Sequence, residues 1–118
     1  MTPLRYAVVH HTGIAEPHFD VMFETAPGSA LTTFRLPLWP PAARLAAVPL
    51  AEHRAAYLDY EGPVSGNRGE VRRVQSGTCH VVSNASGWVL DFSPTRDLTS
   101  LHLERDATGA WTAVLCRT

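Results

Sequence analysis

Hydrophobic positions in this chain alternate with polar ones over short runs, and Gly, Pro, Asn and Asp separate the runs. A period of two marks a strand that turns one face to a core. On this pattern strands are predicted at Arg5–His10, His18–Glu24, Leu31–Leu36, Gly69–Gln75, Thr78–Ser83, Trp88–Phe92, Leu101–Arg105 and Trp111–Cys116. Turn signals fall between them at Ala26-Pro-Gly-Ser29, Ser76-Gly77, Asn84-Ala-Ser-Gly87 and Asp106-Ala-Thr-Gly109. Alternation places Leu101 and Leu103 inward and His102 and Glu104 toward water. The segment Leu36-Pro-Leu-Trp-Pro-Pro41 breaks the rhythm, because its prolines impose an extended or irregular connection. Behind it, the Ala-rich stretches Ala42–Ala47 and Pro49–Tyr60 are predicted as short helical turns, with Pro49 in the first turn of the second and Gly62-Pro63 ending it. The pattern implies a mostly β fold, a small antiparallel sandwich or barrel with short flanking helices.

Composition narrows the function classes. At 118 residues the chain is long enough for one domain, 1–118, with a single real core. With 45% hydrophobic and 18% charged residues it is neither a disordered tail nor a membrane protein. Every basic residue is an arginine, and ten of them against eleven acidic residues leave a net charge of −1. That balance disfavours coating nucleic acid by charge alone, but it leaves room for a local arginine patch that grips one phosphate. No stretch approaches the about 20 apolar residues that cross a bilayer, and Met1-Thr-Pro-Leu-Arg-Tyr6 lacks a secretory pattern. Cys79 and Cys116 are far apart and in no CxxC pair, which reads as two small buried hydrophobes. A cytoplasmic, reduced protein with no membrane association is the expectation.

Three clusters could do chemistry. In His18-Phe-Asp-Val-Met-Phe-Glu24, Phe19, Val21 and Phe23 share the core face, while His18, Asp20, Met22 and Glu24 share the other. The imidazole and carboxylate then lie about 7 Å apart at their Cα atoms and can converge on one cation. Upstream, His10-His11 ends a strand, and Thr12–Pro17 is short enough to return the chain beside it. Two histidines and a carboxylate make a three-ligand face with open positions, suited to divalent Mn, Fe or Zn. The plainer alternative is a His18–Asp20 hydrogen bond on a solvated strand. In the second cluster, His53 and Tyr57 would share a helical face as a phosphate-binding or acid/base pair; the alternative is a half-buried tyrosine beside a surface histidine. The third is the glycine-punctuated loop Glu61-Gly-Pro-Val-Ser-Gly-Asn-Arg-Gly69, followed by Arg72 and Arg73. It is neither a Walker loop nor a dinucleotide fingerprint. His80 and His102 read as structural or surface residues.

In order and spacing these clusters resemble the 3′-phosphoesterase module of bacterial DNA ligase D and its small stand-alone relatives. The residues that carry the likeness are His11, His18-Phe-Asp20 through Glu24, Leu31-Thr-Thr-Phe-Arg-Leu-Pro37, His53 with Tyr57, Tyr60-Glu-Gly62 and Gly66-Asn-Arg-Gly69. The likeness runs from about Tyr6 to Ser76, with a looser match to Arg117. It implies a compact β-barrel-like domain whose concave site holds a manganese-type ion, with zinc or iron as alternatives, through His11, His18 and Asp20. It also implies trimming of DNA or RNA 3′ ends in DNA repair, with His53 and Tyr57 on the scissile phosphate and a separate ligase or polymerase as partner. Three features depart from the family. Met22 stands where the ligase modules carry a catalytic arginine. The gap from His11 to His18 is one residue longer, which keeps His10 in play as a ligand. Ile14-Ala-Glu-Pro17 replaces an Arg-Arg pair, so a compensating guanidinium would have to come from Arg44 or Arg68. Two other functions therefore stand beside the enzyme: a non-catalytic module that binds metal or nucleic-acid ends, and a hydrolase of a small phosphorylated metabolite.

Overall fold

A computed structural model describes residues 3–92 and 99–117 of the chain. Met1 and Thr2, the start of the Met1–Tyr6 segment that lacks a secretory pattern, lie outside the described residues. The strands are β1 (Leu4–Thr12), β2 (His18–Glu24), β3 (Leu31–Leu36), β4 (Leu45–His53), β5 (Gly62–Pro63), β6 (Glu70–Asn84), β7 (Gly87–Asp91), β8 (Thr99–Arg105) and β9 (Trp111–Arg117). They form one antiparallel sheet in the order β1-β2-β3-β4-β9-β8-β7-β6-β5. β1 pairs with β6 as well as β2, so the ladder that leaves β1 through β2 comes back to it.

Two long strands hold this circuit together by changing partner midway. Leu45–Ala47 of β4 pair with β9, and Val48 to His53 pair with β3. Residues up to Cys79 of β6 pair with β1, and His80–Asn84 pair with β7. The register of β1 against β6 skips Val74, a bulge that bends the long strand.

The predicted flanking helices are corrected here. Ala42–Ala47 and Pro49–Tyr60 supply β4 and a single 3-10 turn over Ala55–Leu58, and no α-helix occurs among the described residues. Alanine is the best intrinsic helix former, but propensity is a weak preference that tertiary pairing overrides. Ala47 is buried in the core opposite Trp111, where a small side chain fits. Pro49 lies just past the last β9 pair, where β4 has a partner on one side only and a missing amide is tolerated. Ser76-Gly77, taken as a turn, is likewise continuous strand. Gly77 pairs with Tyr6, and a Cβ there would come 3.7 Å from the tyrosine ring.

The main core collects Tyr6, Val8, Val21, Phe23, Phe34, Leu36, Leu90, Phe92, Leu101 and Leu103, with Trp88 and Trp111 packed against it. Leu101 and Leu103 point inward as alternation requires. Cys79 is buried in this core with its thiol pushed up to about 12, mainly by desolvation, and Cys116 is half-buried; both are free. A second, smaller cluster of Ala7, Val9, Met22, Leu31 and Leu58 covers the other face of β1 and β2. β2 is therefore buried on both sides, and the polar residues His18, Asp20 and Glu24 are buried with it.

Glu24 has a structural task. One carboxylate oxygen accepts the Arg5 amide at 2.7 Å, and the other accepts the Gly28 amide at 2.9 Å. This clamps the start of β1 to the Ala26–Ser29 turn. Replacing Glu24 by Ala removes the acceptor of two part-buried backbone bonds, so Glu24→Ala should lower stability by about 2 kcal/mol in urea unfolding. A loss below about 0.5 kcal/mol would show that water replaces the carboxylate.

Candidate metal centre

The β1–β2 hairpin brings the metal-binding candidates together. His11 and His18 are direct cross-strand partners, and Asp20 follows two residues along the same face. The two imidazole rings lie 4.9 Å apart in an edge-on arrangement. One ligand atom from each of His11, His18 and Asp20 falls within 4.8 Å of the others. Bonds of about 2.1 Å to a common ion allow ligand separations up to about 4.2 Å, so a small side-chain rotation closes the set.

Backbone carbonyls set which nitrogen of each histidine is free. His18 Nδ1 donates to the Glu16 carbonyl at 3.0 Å, which leaves Nε2 of the neutral ring with its lone pair. His11 Nε2 donates to the Arg68 carbonyl at 2.7 Å, which leaves Nδ1. Such carbonyl bonds to the second nitrogen are the usual support of a metal-ligating histidine. His10 is turned away. It stacks on Phe19 at 4.2 Å, with the planes 9° apart, on the opposite face. Of the two neighbouring histidines, it is His11 that joins the cluster.

The centre is not satisfied by protein groups. His18 Nε2 and Asp20 Oδ1 are buried, 3.5 Å apart, and neither has a hydrogen-bond partner among the described residues. Arg35, the cross-strand partner of Asp20, brings its Nε only to 3.9 Å. Burial pushes the Asp20 carboxyl above the usual range, against the opposing pull of His18, Arg35, His53 and His11. This donor set fits a divalent cation, which would satisfy both orphaned atoms at once.

A cavity of about 400 Å³ opens over the centre, lined among others by His11, Asp20, Met22, Arg35, His53 and Tyr57. His53 and Tyr57 do meet, with ring centroids 5.6 Å apart, but as the end of β4 and the 3-10 turn that follows rather than as neighbours on a helix. His53 Nδ1 donates to the Ala51 carbonyl at 3.0 Å, leaving Nε2. Arg44 does not reach the cavity, because it binds Glu104 at 3.4 Å and Thr112 at 2.9 Å. Arg68 lines the cavity, but its guanidinium is turned to Ser65. Sequence reasoning missed Arg35 and Arg54, which also line it. Arg35 was within reach of the pattern. A hairpin closed by Ala26–Ser29 pairs Glu24 with Leu31, and that register sets Asp20 opposite Arg35.

The Gly66–Gly69 loop acts through its backbone. Gly69 has φ +77°, and a Cβ there would sit 2.0 Å from the Thr12 carbonyl. Only glycine lets the loop press against the end of β1 and hold the Arg68 carbonyl on His11. Compared with known proteins, the chain matches no family model and no curated sequence.

Calorimetric titration with Mn²⁺ or Zn²⁺ should show one site that is lost in His18→Ala and Asp20→Asn and kept in His10→Ala. Without metal, Asp20→Asn should be about 1 kcal/mol more stable than wild type at neutral pH, since the amide can donate to His18 Nε2. The raised folded-state value of Asp20 means that ionising it costs stability as pH rises through that value. The advantage of the variant should therefore shrink toward acid pH. Separately, Gly69→Ala should weaken metal uptake about tenfold by displacing the carbonyl that orients His11; unchanged uptake would remove the loop from the centre.

Proposed function

We propose that this protein is a metal-dependent phosphoesterase that processes nucleic-acid 3′ ends, built on a β-barrel. The observation that carries the reading is the pair of facing, unpartnered acceptors, His18 Nε2 and Asp20 Oδ1, beneath a cavity that also collects His53, Tyr57 and arginines. His11, His18 and Asp20 would hold a divalent ion, manganese in the first instance. Such an ion supplies Lewis acidity at a phosphoryl oxygen and lowers the pKa of a water.

The remaining steps belong to the chain's own side chains. The Ala51 carbonyl fixes the His53 ring and leaves Nε2 to carry a proton to a phosphate or leaving oxygen. The Tyr57 ring packs edge-on against His53, with the Arg54 guanidinium 5.6 Å over its face, and its hydroxyl has no hydrogen-bond partner among the described residues. The Arg35 guanidinium makes no hydrogen bond among the described residues either, so its fork remains for phosphate oxygens. Met22, buried in the cavity wall, puts apolar surface beside Asp20 and strengthens the charge interactions there.

Met22 also favours a second reading, a module that binds metal and strand ends without cleaving them, because it places no donor on that side. A 3′-phosphorylated primer with Mn²⁺ separates the two. The enzyme reading expects phosphate release that His18→Ala abolishes and that His53→Ala lowers about 100-fold. Metal uptake without release above the His18→Ala control would leave only the binding module.

A further inference from the structure

A second cavity of about 410 Å³ adjoins the first and shares Arg54, Tyr57, Tyr60 and Val64 with it as a common wall. Its remaining lining is Ala56, Pro63 and Ser65. The two compartments differ in chemistry. The first holds His11, His53, Asp20, Glu52 and arginines, whereas the second has aromatic and aliphatic walls, one guanidinium and no carboxylate. We propose that this second compartment seats the 3′-terminal nucleobase of the strand whose phosphate lies over the metal centre. The proposal rests on the function inferred above and specifies which part of the substrate is recognised.

Two tyrosines make the seat. Their rings are 5.9 Å apart with planes at 79°, so one presents an edge where the other presents a face. The Tyr60 hydroxyl donates to the Pro63 carbonyl, which holds the ring in place although the residue is 38% exposed. A large aromatic ring fixed in an open position offers stacking surface at little further loss of freedom. Arg54 lies over the Tyr57 ring and lines both compartments, where it can meet a phosphate on one side and a π-face on the other. Backbone positions this wall. The 3-10 turn carries Tyr57 immediately after β4, and the short β5 pairing of Gly62 and Pro63 with β6 anchors the chain after Tyr60. A planar, mostly uncharged ring next to an anion is the chemistry that fits both compartments together. A sugar phosphate would leave the aromatic one empty.

The test is fluorescence anisotropy in EDTA, so that it reads neither metal uptake nor turnover. A short labelled oligothymidylate ending in a 3′-phosphate is compared with the same strand ending in an abasic residue that bears the phosphate. Wild type should bind the abasic strand about tenfold more weakly. The difference should fall below about twofold in Tyr60→Ala and persist in reduced form in Tyr60→Phe, which keeps the ring but loses the bond that fixes it. Equal affinity of wild type for the two strands overturns the proposal, whatever the variants do. Competition by thymidine 3′-phosphate as strong as by the strand would give the compartment to free nucleotides and overturn the strand-end assignment. Base discrimination without phosphate release would sink the phosphoesterase reading alone, and release without discrimination would sink this one alone.

Discussion

Two buried atoms, His18 Nε2 and Asp20 Oδ1, face each other 3.5 Å apart, and neither has a hydrogen-bond partner among the described residues. Buried polar groups are nearly always paired, and leaving one unpaired costs roughly 1–3 kcal/mol. The cost here is built into the fold, because β2 is covered on both sides. Phe23 and Val21 need the main core, and Met22 needs the smaller cluster, so the strand that carries the pair cannot turn it to water. A divalent cation would satisfy both atoms together, and an unpaired couple of this kind is a local cost that functional sites commonly carry.

Around that pair, main-chain groups do the orienting. The Glu16 carbonyl takes the Nδ1 proton of His18, and the Arg68 carbonyl takes the Nε2 proton of His11, so the rings present different nitrogens to one point. The hairpin register makes the two histidines neighbours, and the absent Cβ of Gly69 brings the second carbonyl within reach. A side chain at position 69 would act on a ligand it never touches. This explains how a loop whose arginine is bound to Ser65 contributes to the site.

The period-two pattern made β2 and the facing of His18 and Asp20 legible, because alternation is a local property of the chain. His11 and His10 were not separable by sequence. The choice depends on which face of β1 meets Phe19, and pairing decides that. The stretch 42–60 was misread for a related reason. Alanines carry a helical preference and a proline suits a first helical turn, yet the segment must join the sheet between β3 and β9, and that long-range demand prevails. Ser76-Gly77 differs for the same reason, since pairing of these two residues with Ala7 and Tyr6 of β1 carries the strand through a local turn signal. The meeting of His53 with Tyr57 was anticipated, but through a helical spacing that does not exist here.

Net charge proved a poor guide to the surface that matters. The chain carries −1 overall, yet Arg35, Arg54 and Arg68 line one cavity with His11 and His53, while Arg44 and Arg5 are engaged elsewhere by Glu104 and Asp59. The arginines in the cavity differ in what remains free. Arg68 is held by Ser65, Arg54 lies over Tyr57, and Arg35 reaches Asp20 only at 3.9 Å. A guanidinium that close to a buried carboxylate helps keep it ionised while leaving most of its own donors unspent. Its own positive charge attracts an anion beside Asp20. A chain balanced in net charge can supply such a local positive field by placement alone.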